Sequence, residues 1–475
     1  MVDTADAEQL LADELLPAWQ QERRRLDAID AWARWDHPEP HRPKHATAEY
    51  RELARRAQAP WGDLIVGSIA QTLFVEGYRR PSDPDDARPW RYWQANSFDA
   101  RQISVHRAAL TYGVAYVGVL PGVAPDSGEP LPWMRGFSPR EMLAVYEDPA
   151  VDEWPAVAVR VRKIKGGRLE VALWDDERVR YYTTDDVGAK LEQVREVVHG
   201  IGECPIVRYQ NRVDLEGRVA GEIEPFLSVL GRIDQTTFDR LVVQRFASWV
   251  VRTIAGMSVS ETARVTGEPA ERVKMRLRAE DFLVAEDPDT KFGSLPATSL
   301  DGFIAAHEAD VRVLAAVSQS PAHELLGSMA NMSAEALAAA RASQTQKADE
   351  RRHVFGEAHE QLLRMAAFVA GDLEAAADFE AQVRWRDTSI RSLAQAADAL
   401  GKLAQMLGVP VEMLWEKIPG WTDQDVERAR TLVREGGIER LFDELARGLT
   451  PITEPAPPPN GAAPPSEPVS TDAAG

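Results

Sequence analysis

Three His-Glu pairs are the first residues in this sequence whose types and spacing could do chemistry: His307-Glu308, His323-Glu324 and His359-Glu360. A zincin helix adds a second histidine four residues after the first, so that two imidazoles on one face hold the metal. Those positions are Val311, Gly327 and Leu363, and the pattern fails three times. A deaminase-type zinc site needs a paired Cys-x-x-Cys, which a chain with the single cysteine Cys204 cannot supply. The stretch "DDVGAKL" has one glycine and one lysine without the glycine frame that cradles phosphates. "GIGECP" from Gly200 lacks the third glycine of a dinucleotide fingerprint and reads as a turn between strands. No G-x-S-x-G elbow occurs. The carboxylate pairs Asp175-Asp176 and Asp185-Asp186 follow strand-like runs and read as solvated turn formers. Cys204 reads as a buried strand thiol with nothing nearby to make it a thiolate. No catalytic residue, metal or cofactor is expected, and the chain reads as a non-enzyme.

One stretch suggests a different chemistry. "SVSETARVTGEPAERVKMRLRAE" from Ser258 resembles a helix-turn-helix of the sigma-factor type. Ala263 would sit at the helix contact, Gly267 in the turn and Pro269 at the start of the second helix. Val273, Lys274, Arg276 and Arg278 would be its core and basic positions. The plainer reading is a short surface helix, because the segment around it is too small for the extra helices such a motif packs on. The chain as a whole is also acidic. Its 55 Lys and Arg against 75 Asp and Glu give a formal charge of −20, and the pI is near 5.0. That balance opposes wrapping around phosphate backbones but allows nucleic acid to slide past.

At 475 residues the length suggests about three domains. A hydrophobic content of 44% with 27% charged residues is enough for a sizeable core. A single cysteine excludes an internal disulfide framework and points to a reducing compartment. The acidic, amphipathic start "MVDTADAEQLLADELL" is wrong for a signal or transit peptide. No run approaches the roughly 20 apolar residues of a membrane span. The chain reads as soluble and intracellular.

The elements that would position any site fall into blocks. Residues 1–80 read as mostly helical, with Leu11, Leu15, Trp19, Leu26, Ile29 and Trp32 at three-to-four spacing. "PWGDLIVGSIAQTLFVEGYR" reads as a second helix, and "RPWRYWQANSFDARQISVHRAALTYG" as a third closing at Gly113. From Val114 to about Tyr209 the period is two, with a Gly166-Gly167 turn, which predicts an antiparallel sheet with one wet face. A long helix is expected over Glu224–Ala247, with Pro225 in its first turn. A compact insert follows over 248–299, with strand-like "SWVVRTI" and "DFLVAED", and then a helix that stops at Pro321.

Next comes "PAHELLGSMANMSAEALAAARASQTQKADERRHVFGEAHEQLLRM", a Met- and Gly-containing loop and a helix from about Ser333 to Ala370. Asn331 and Ser333 are the N-cap choices, with Glu335 in the first turn where the helix dipole favours an anion. At 1.5 Å per residue this helix runs on the order of 55 Å. Its second half carries a core face of Val354, Phe355, Leu362, Leu363, Met365 and Phe368, while its first half offers only Leu337 and alanines. So bare a half-helix should not dock firmly on its own domain. "ADFEAQVRWRDT" reads as a strand with Phe379, Val383 and Trp385. Residues 389–449 read as helical, and the Pro/Ala/Ser/Glu-rich segment from Thr450 as disordered.

In this order the parts resemble the portal proteins of tailed bacteriophages, from about Trp90 to Asp387 with a helical cap after it. The residues that carry the resemblance are "WQANSFDARQISVHRAALTYGVAYVGV", "FLVAEDPDTKFGSLPATSLDGFIAAHEADVRVLAAVSQSPAHELLG", "NMSAEALAAARASQTQKADERRHVFGEA" and "EAQVRWRDTSIRSLAQAADALGKLAQMLGVP". The helix-turn-helix-like segment departs from the family, whose clip occupies that place and reads no base sequence. The resemblance implies an α+β fold: an α+β wing (1–222, plus the strand near 379–387), stem helices 223–247 and 300–320 flanking a small α/β clip (248–299), a channel or tunnel loop (321–333), a long helix and strand returning to the wing (334–388), a helical crown (389–449) and a disordered tail (450–475).

It further implies a homo-oligomeric ring, usually of twelve subunits, at the capsid vertex of a virion assembled in the host cytoplasm. Double-stranded DNA passes non-specifically through the channel, driven by a terminase. Major capsid and scaffolding proteins and a head-tail adaptor are the other partners, and no membrane is involved. By the same resemblance the DNA-facing loop is His323, Glu324, Leu325, Leu326, Gly327, Ser328, Met329, Ala330, Asn331, Met332 and Ser333. The inter-subunit helix presents Leu337, Ala338, Arg341, Gln344 and Lys347, and the clip contacts terminase or adaptor through Arg264, Arg272, Lys274, Arg276 and Arg278. The alternatives are a DNA-binding regulator using 258–280 and a soluble enzyme whose site carries no familiar motif.

Overall fold

The computed structural model describes residues 4–44, 47–81, 88–124, 128–247, 252–255, 282–285, 289, 299–327, 334–386, 393–418, 420–421 and 423–434. The chain divides into two compact units, Met1–Arg386 and Asp387–Gly475.

The first unit opens with α1 (Thr4–Leu10), which runs through one π-turn into α2 (Leu16–Ala33) with Pro17 in the first turn of α2, where its missing N–H costs nothing. The periodic residues Leu11, Leu15, Trp19, Leu26 and Ile29 are all buried. After α3 (Ala48–Ala57) and α4 (Trp61–Ala70) the expected helix stops early. Residues Val75–Arg79 form β1, antiparallel to β12 (Gln382–Trp385). The pairing partner lies some three hundred residues away, so local periodicity could not reveal it. The Gln102 side chain locks the turn into strand by accepting from Val75 N at 2.8 Å and donating to Val75 O at 3.0 Å. The helix expected over 88–113 is two, α5 (Arg88–Ala95) and α6 (Phe98–Tyr112). They break at Ser97, whose φ is +52°, where the Asn96 amide leaves the helix to bond Pro132 O and Met134 N.

The period-two region makes two sheets. A three-stranded sheet has the order β3 (Trp133–Phe137), β2 (Val114–Leu120), β9 (Ile206–Gln210). A five-stranded antiparallel meander follows chain order: β4 (Met142–Val145), β5 (Val157–Lys163), β6 (Leu169–Trp174), β7 (Arg178–Thr184) and β8 (Glu192–Val198). Gly166 and Gly167, at φ +91° and +85°, make the β5–β6 turn as expected.

The expectation of one wet face is corrected. Val159, Val161, Val171, Leu173 and Tyr182 pack under Leu11, Leu15 and Trp19. Ala158, Ala172, Trp174 and Val179 on the other face pack against Val114, Tyr116, Phe137 and Ile206 of the smaller sheet. The edge strand β8 is exposed along all seven residues, and β3, at the edge of the smaller sheet, exposes Trp133 and Arg135 while burying Met134 and Phe137. Asp175 is likewise no solvated turn former. It is buried, accepts from the N–H groups of Glu177 and Arg178, and meets the buried Arg180 at 2.6 Å. Asp185, by contrast, is a solvated partner of Arg168. Cys204 is buried just before β9, in coil rather than strand; burial pushes its thiol well up, and its Sγ lies 3.7 Å from Trp174 O.

The largest core joins α4, α5, α6, β2 and β9 to three later helices: α7 (Leu227–Ala247), α8 (Asp301–Ser318) and α10 (Ala334–Val369). Between α7 and α8 the short strands β10 (Arg252–Ala255) and β11 (Phe282–Ala285) pair in parallel. Between α8 and α10 lies α9 (Ala322–Leu326), and α11 (Leu373–Ala376) precedes β12. Of the expected α10 core face, Phe368 is exposed at 43%, and Phe379 lies before β12, also exposed.

In the second unit α12 (Leu393–Leu407), α13 (Val411–Leu414) and α14 (Asp423–Arg434) bury Ala396, Leu414, Val426 and Ala429, with Arg430 paired to Glu416. The remainder of the expected crown and the tail fall outside the described residues. Among the described residues no helix is long and apolar enough to cross a membrane.

Candidate functional site

The site is the junction where α7, α8 and α10 meet the sheet unit, and from which the 321–333 segment leaves. α7 and α8 pack together through Arg232 and Asp310 at 2.7 Å, with Thr236 donating to Asp310 at 3.3 Å. α8 ends on Gln319 in the left-handed region (φ +57°), its N–H capped by Ala315 O and Ala316 O. Pro321 then prevents continuation and starts α9, which closes on Gly327 at φ +64°.

At the centre of the junction is a buried carboxylate, Glu222. The connector carrying it presses on the end of α6, and only glycine fits there. A Cβ on Gly113 would stand 2.8 Å from the Ala220 backbone, and one on Gly221 2.0 Å from Thr111 O. The Glu222 carboxylate meets Lys347 Nζ at 2.5 Å and receives Arg351 Nε and Nη2 at 3.1 and 3.0 Å. Arg212 is 3.8 Å away. Lys347 also donates to Ser318 O, the last carbonyl of α8, at 3.0 Å. Burial pushes the Glu222 carboxyl up, but Lys347 and Arg351 outweigh it and hold it below its ordinary value. One carboxylate thus fastens the end of α8 and the middle of α10 to the sheet unit.

Above this clamp α10 is bare. Among its described side chains from Ala336 to Gln346 none is buried. α8 likewise shows a stripe of Ala305, Ala306, Ala309, Val313, Ala316 and Val317 to the outside. Below the clamp α10 enters the core with Phe355, Leu362, Leu363 and Met365.

The structure treats the expected loop and helix residues unequally. Leu325 is buried in the main core of its own chain, brought there by α9. Leu326 packs partly against the same core, His323 is half-buried, and Glu324 and Gly327 are exposed. Ser328, Met329, Ala330, Asn331, Met332 and Ser333 lie outside the described residues, as does the Ala338 side chain. Lys347 is buried, with its ammonium on Glu222 of its own chain. Glu324 and Arg341 are brought together in a 2.7 Å ion pair within the subunit. Leu337 and Gln344 are half-buried. Arg264, Arg272, Lys274, Arg276 and Arg278, with the whole helix-turn-helix-like stretch, fall outside the described residues.

Glu222, Ser318 and Arg351 carry the junction and were not read from the sequence. The available signal was Lys347 and Arg351, spaced i and i+4 on an otherwise bare helix, but their anion comes from a distant connector.

The three His-Glu pairs take structural roles. His307 accepts or donates to Thr237 at 3.4 Å, and His323 faces Glu324 at 3.9 Å. His359 belongs to a buried chain. Tyr209 O–H donates to His359 Nδ1 at 2.8 Å, His359 Nε2–H donates to His106 Nε2 at 2.8 Å, and His106 Nδ1–H points at Leu73 O, 3.3 Å away. Burial pushes His106 down to about 4, and burial and then His106 push His359 well below the usual range, so both rings are neutral. Among the described residues no group of three or more His, Cys, Asp or Glu is placed to hold a metal.

Residues 13–435 match the family model described as "Phage portal protein, SPP1 Gp6-like". The chain is 28% identical over 361 residues to a protein named "Portal protein" from Mycobacterium phage D29, covering 72% of this chain and 71% of that one. It is 28% identical over 357 residues to the "Portal protein" of Mycobacterium phage L5, with the same coverages. A chain in the solved "Neck of native GTA particle computed with C12 symmetry" is similar at 14% identity and a TM-score of 0.40, over 78% of this chain and 92% of that one.

Proposed function

The chain belongs to the SPP1 Gp6-like family of phage portal proteins, and from that premise we propose that it acts as the portal of a phage particle. Copies form a closed ring, of twelve subunits, at the capsid vertex. A terminase drives double-stranded DNA through the axial channel, and a head-tail adaptor later attaches to the ring. In this reading residues 1–222 and β12 are wing, α7 and α8 stem, 248–299 clip, and 389–449 crown.

The observation that carries the reading is the family match over residues 13–435, which includes both stem helices and the long α10. Two features of the subunit support it. The outer face of α8, rich in alanine and valine, and that of upper α10, with its alanine, serine and threonine, are small-residue surfaces left exposed among the described residues, as expected where a neighbouring copy completes the surface. The net charge of −20 suits a conduit through which DNA must slide, since each phosphate neutralised adds a salt-dependent barrier. With Leu325 in the core, the DNA-facing part of the loop narrows to the stretch after it, from Leu326 to Ser333.

Negative-stain imaging of the purified full-length protein tests this. Rings with an axial hole are expected, and a homogeneous monomer at high concentration would sink the proposal.

A further inference from the structure

The three-stranded sheet has an open side that the portal reading leaves unused. β3 is its edge strand, and α6 packs beside that edge. Between them lies a cleft of about 520 Å³, within the range of ligand-binding pockets. Arg101, Ser104, Val105 and Ala108 line it from one helical face, at i, i+3, i+4 and i+7, and Trp133 and Arg135 line it from the strand.

The cleft is cationic on a strongly acidic protein. Neither Arg101 nor Arg135 has an acidic partner among the described residues. Arg101 donates to Met134 O at 3.2 Å, and Arg135 lies over the rings of Trp133 and Phe137 at 5.9 and 5.7 Å. Arg160 crowds in over Phe137 at 4.9 Å, although it and Arg162 are balanced by Glu141 and Glu170. Burial pushes the Arg135 pKa down, and Arg160 and Arg162 push it further; Glu141 offsets only part of this. A carboxylate placed there would relieve the crowding.

The strand edge adds backbone groups. Met134 turns its N–H and C=O outward, to Asn96 Oδ1 at 2.9 Å and to Arg101. In an antiparallel ladder residues two apart turn the same way, so Gly136 turns its N–H and C=O into the cleft. A Cβ on Gly136 would stand 3.0 Å from Val105 Cγ2, so glycine keeps this floor open.

We propose that this cleft binds an extended acidic segment of a partner protein. The segment pairs its backbone with Gly136, sets carboxylates on Arg101 and Arg135, and lays an apolar side chain on Trp133, Val105 and Ala108. Duplex DNA suits it less, because a rod of phosphates would meet only two guanidinia and leave the apolar floor of Trp133, Val105 and Ala108 uncovered.

The test is fluorescence anisotropy with the full-length protein as purified. The probe is a fluorescein-labelled peptide of alternating glutamate and leucine, with its lysine–leucine counterpart as control. Saturable binding of the acidic peptide alone is expected, weakened about tenfold or more in Arg101→Ala/Arg135→Ala. Circular dichroism checks that this variant is folded; should it not be, Arg135→Gln, which alters one exposed side chain, carries the test. No binding, or equal binding by wild type and variant, overturns the proposal. Displacement of the peptide by a short DNA duplex overturns it in favour of a phosphate site. Loss of rings in the double variant overturns it in favour of a neighbouring copy as occupant.

Discussion

The two halves of α10 share one helix and almost nothing else. From Lys347 onward it is a core helix: Lys347, Ala348, Arg351, Phe355, His359, Leu362 and Leu363 are buried. From Ala336 to Gln346 it is alanine, serine, threonine and glutamine apart from Leu337 and Arg341, with no buried described side chain. Helix propensity is high in both halves, so propensity explains why the helix is continuous but not why it changes role. The change falls at the Glu222 clamp. Below it the helix is stabilised by buried side chains of its own chain, and above it by its backbone, the Arg341–Glu324 ion pair and whatever another molecule supplies. The hydrogen bond from Lys347 to Ser318 O ties the same point to the end of α8.

The sharpest way to break this contrast is to remove the clamp. Glu222→Ala leaves the buried Lys347 ammonium without its anion and Arg351 with only the exposed Glu350, which should cost about 3–5 kcal/mol. Urea unfolding of the full-length protein, followed by near-UV circular dichroism, measures it. A loss below about 1 kcal/mol would mean that the clamp does not divide the helix.

A smaller effect comes from acid. His106 and His359 are neutral in the fold, whereas in the unfolded chain they take up protons near pH 6.5. Their contribution is therefore complete above about 6.5 and is lost as the pH falls towards 4, by about 3 kcal/mol for His106. His106→Gln should flatten that slope. The buried half of α10 should show the loss in hydrogen exchange, while amides of the exposed half, which pack on neither histidine, should change less.

What the sequence made legible follows the same division. The bounds of α10, the bareness of its first half and the core character of Phe355, Leu362 and Leu363 came from periodicity, which is a local signal. Leu325 and Lys347 did not. Leucine in a loop and lysine on an exposed-looking helix carry no local mark of burial, and both are buried by partners far away in sequence. β1 was lost to a helix reading for the same reason, because β12 had to be in place before Val75 could be seen as strand. The two-sheet arrangement was hidden because alanines at positions such as Ala158 and Ala172 make the second buried face look weakly apolar.

The smallest expected effect on stability tests the exposed half directly. Ala339→Leu and Ala342→Leu keep helix propensity at two exposed positions, so unfolding of the first unit should shift by no more than about 0.5 kcal/mol. If these alanines let a neighbouring copy approach closely, the added side chains hold the helices apart, and size-exclusion chromatography with light scattering should show fewer rings. A shift in unfolding of more than about 1 kcal/mol would instead place these alanines against their own chain. Unchanged stability with unchanged assembly would leave the upper half of α10 facing the channel or solvent, and the stripe on α8 from Ala305 to Val317 would then have to provide the contact between copies.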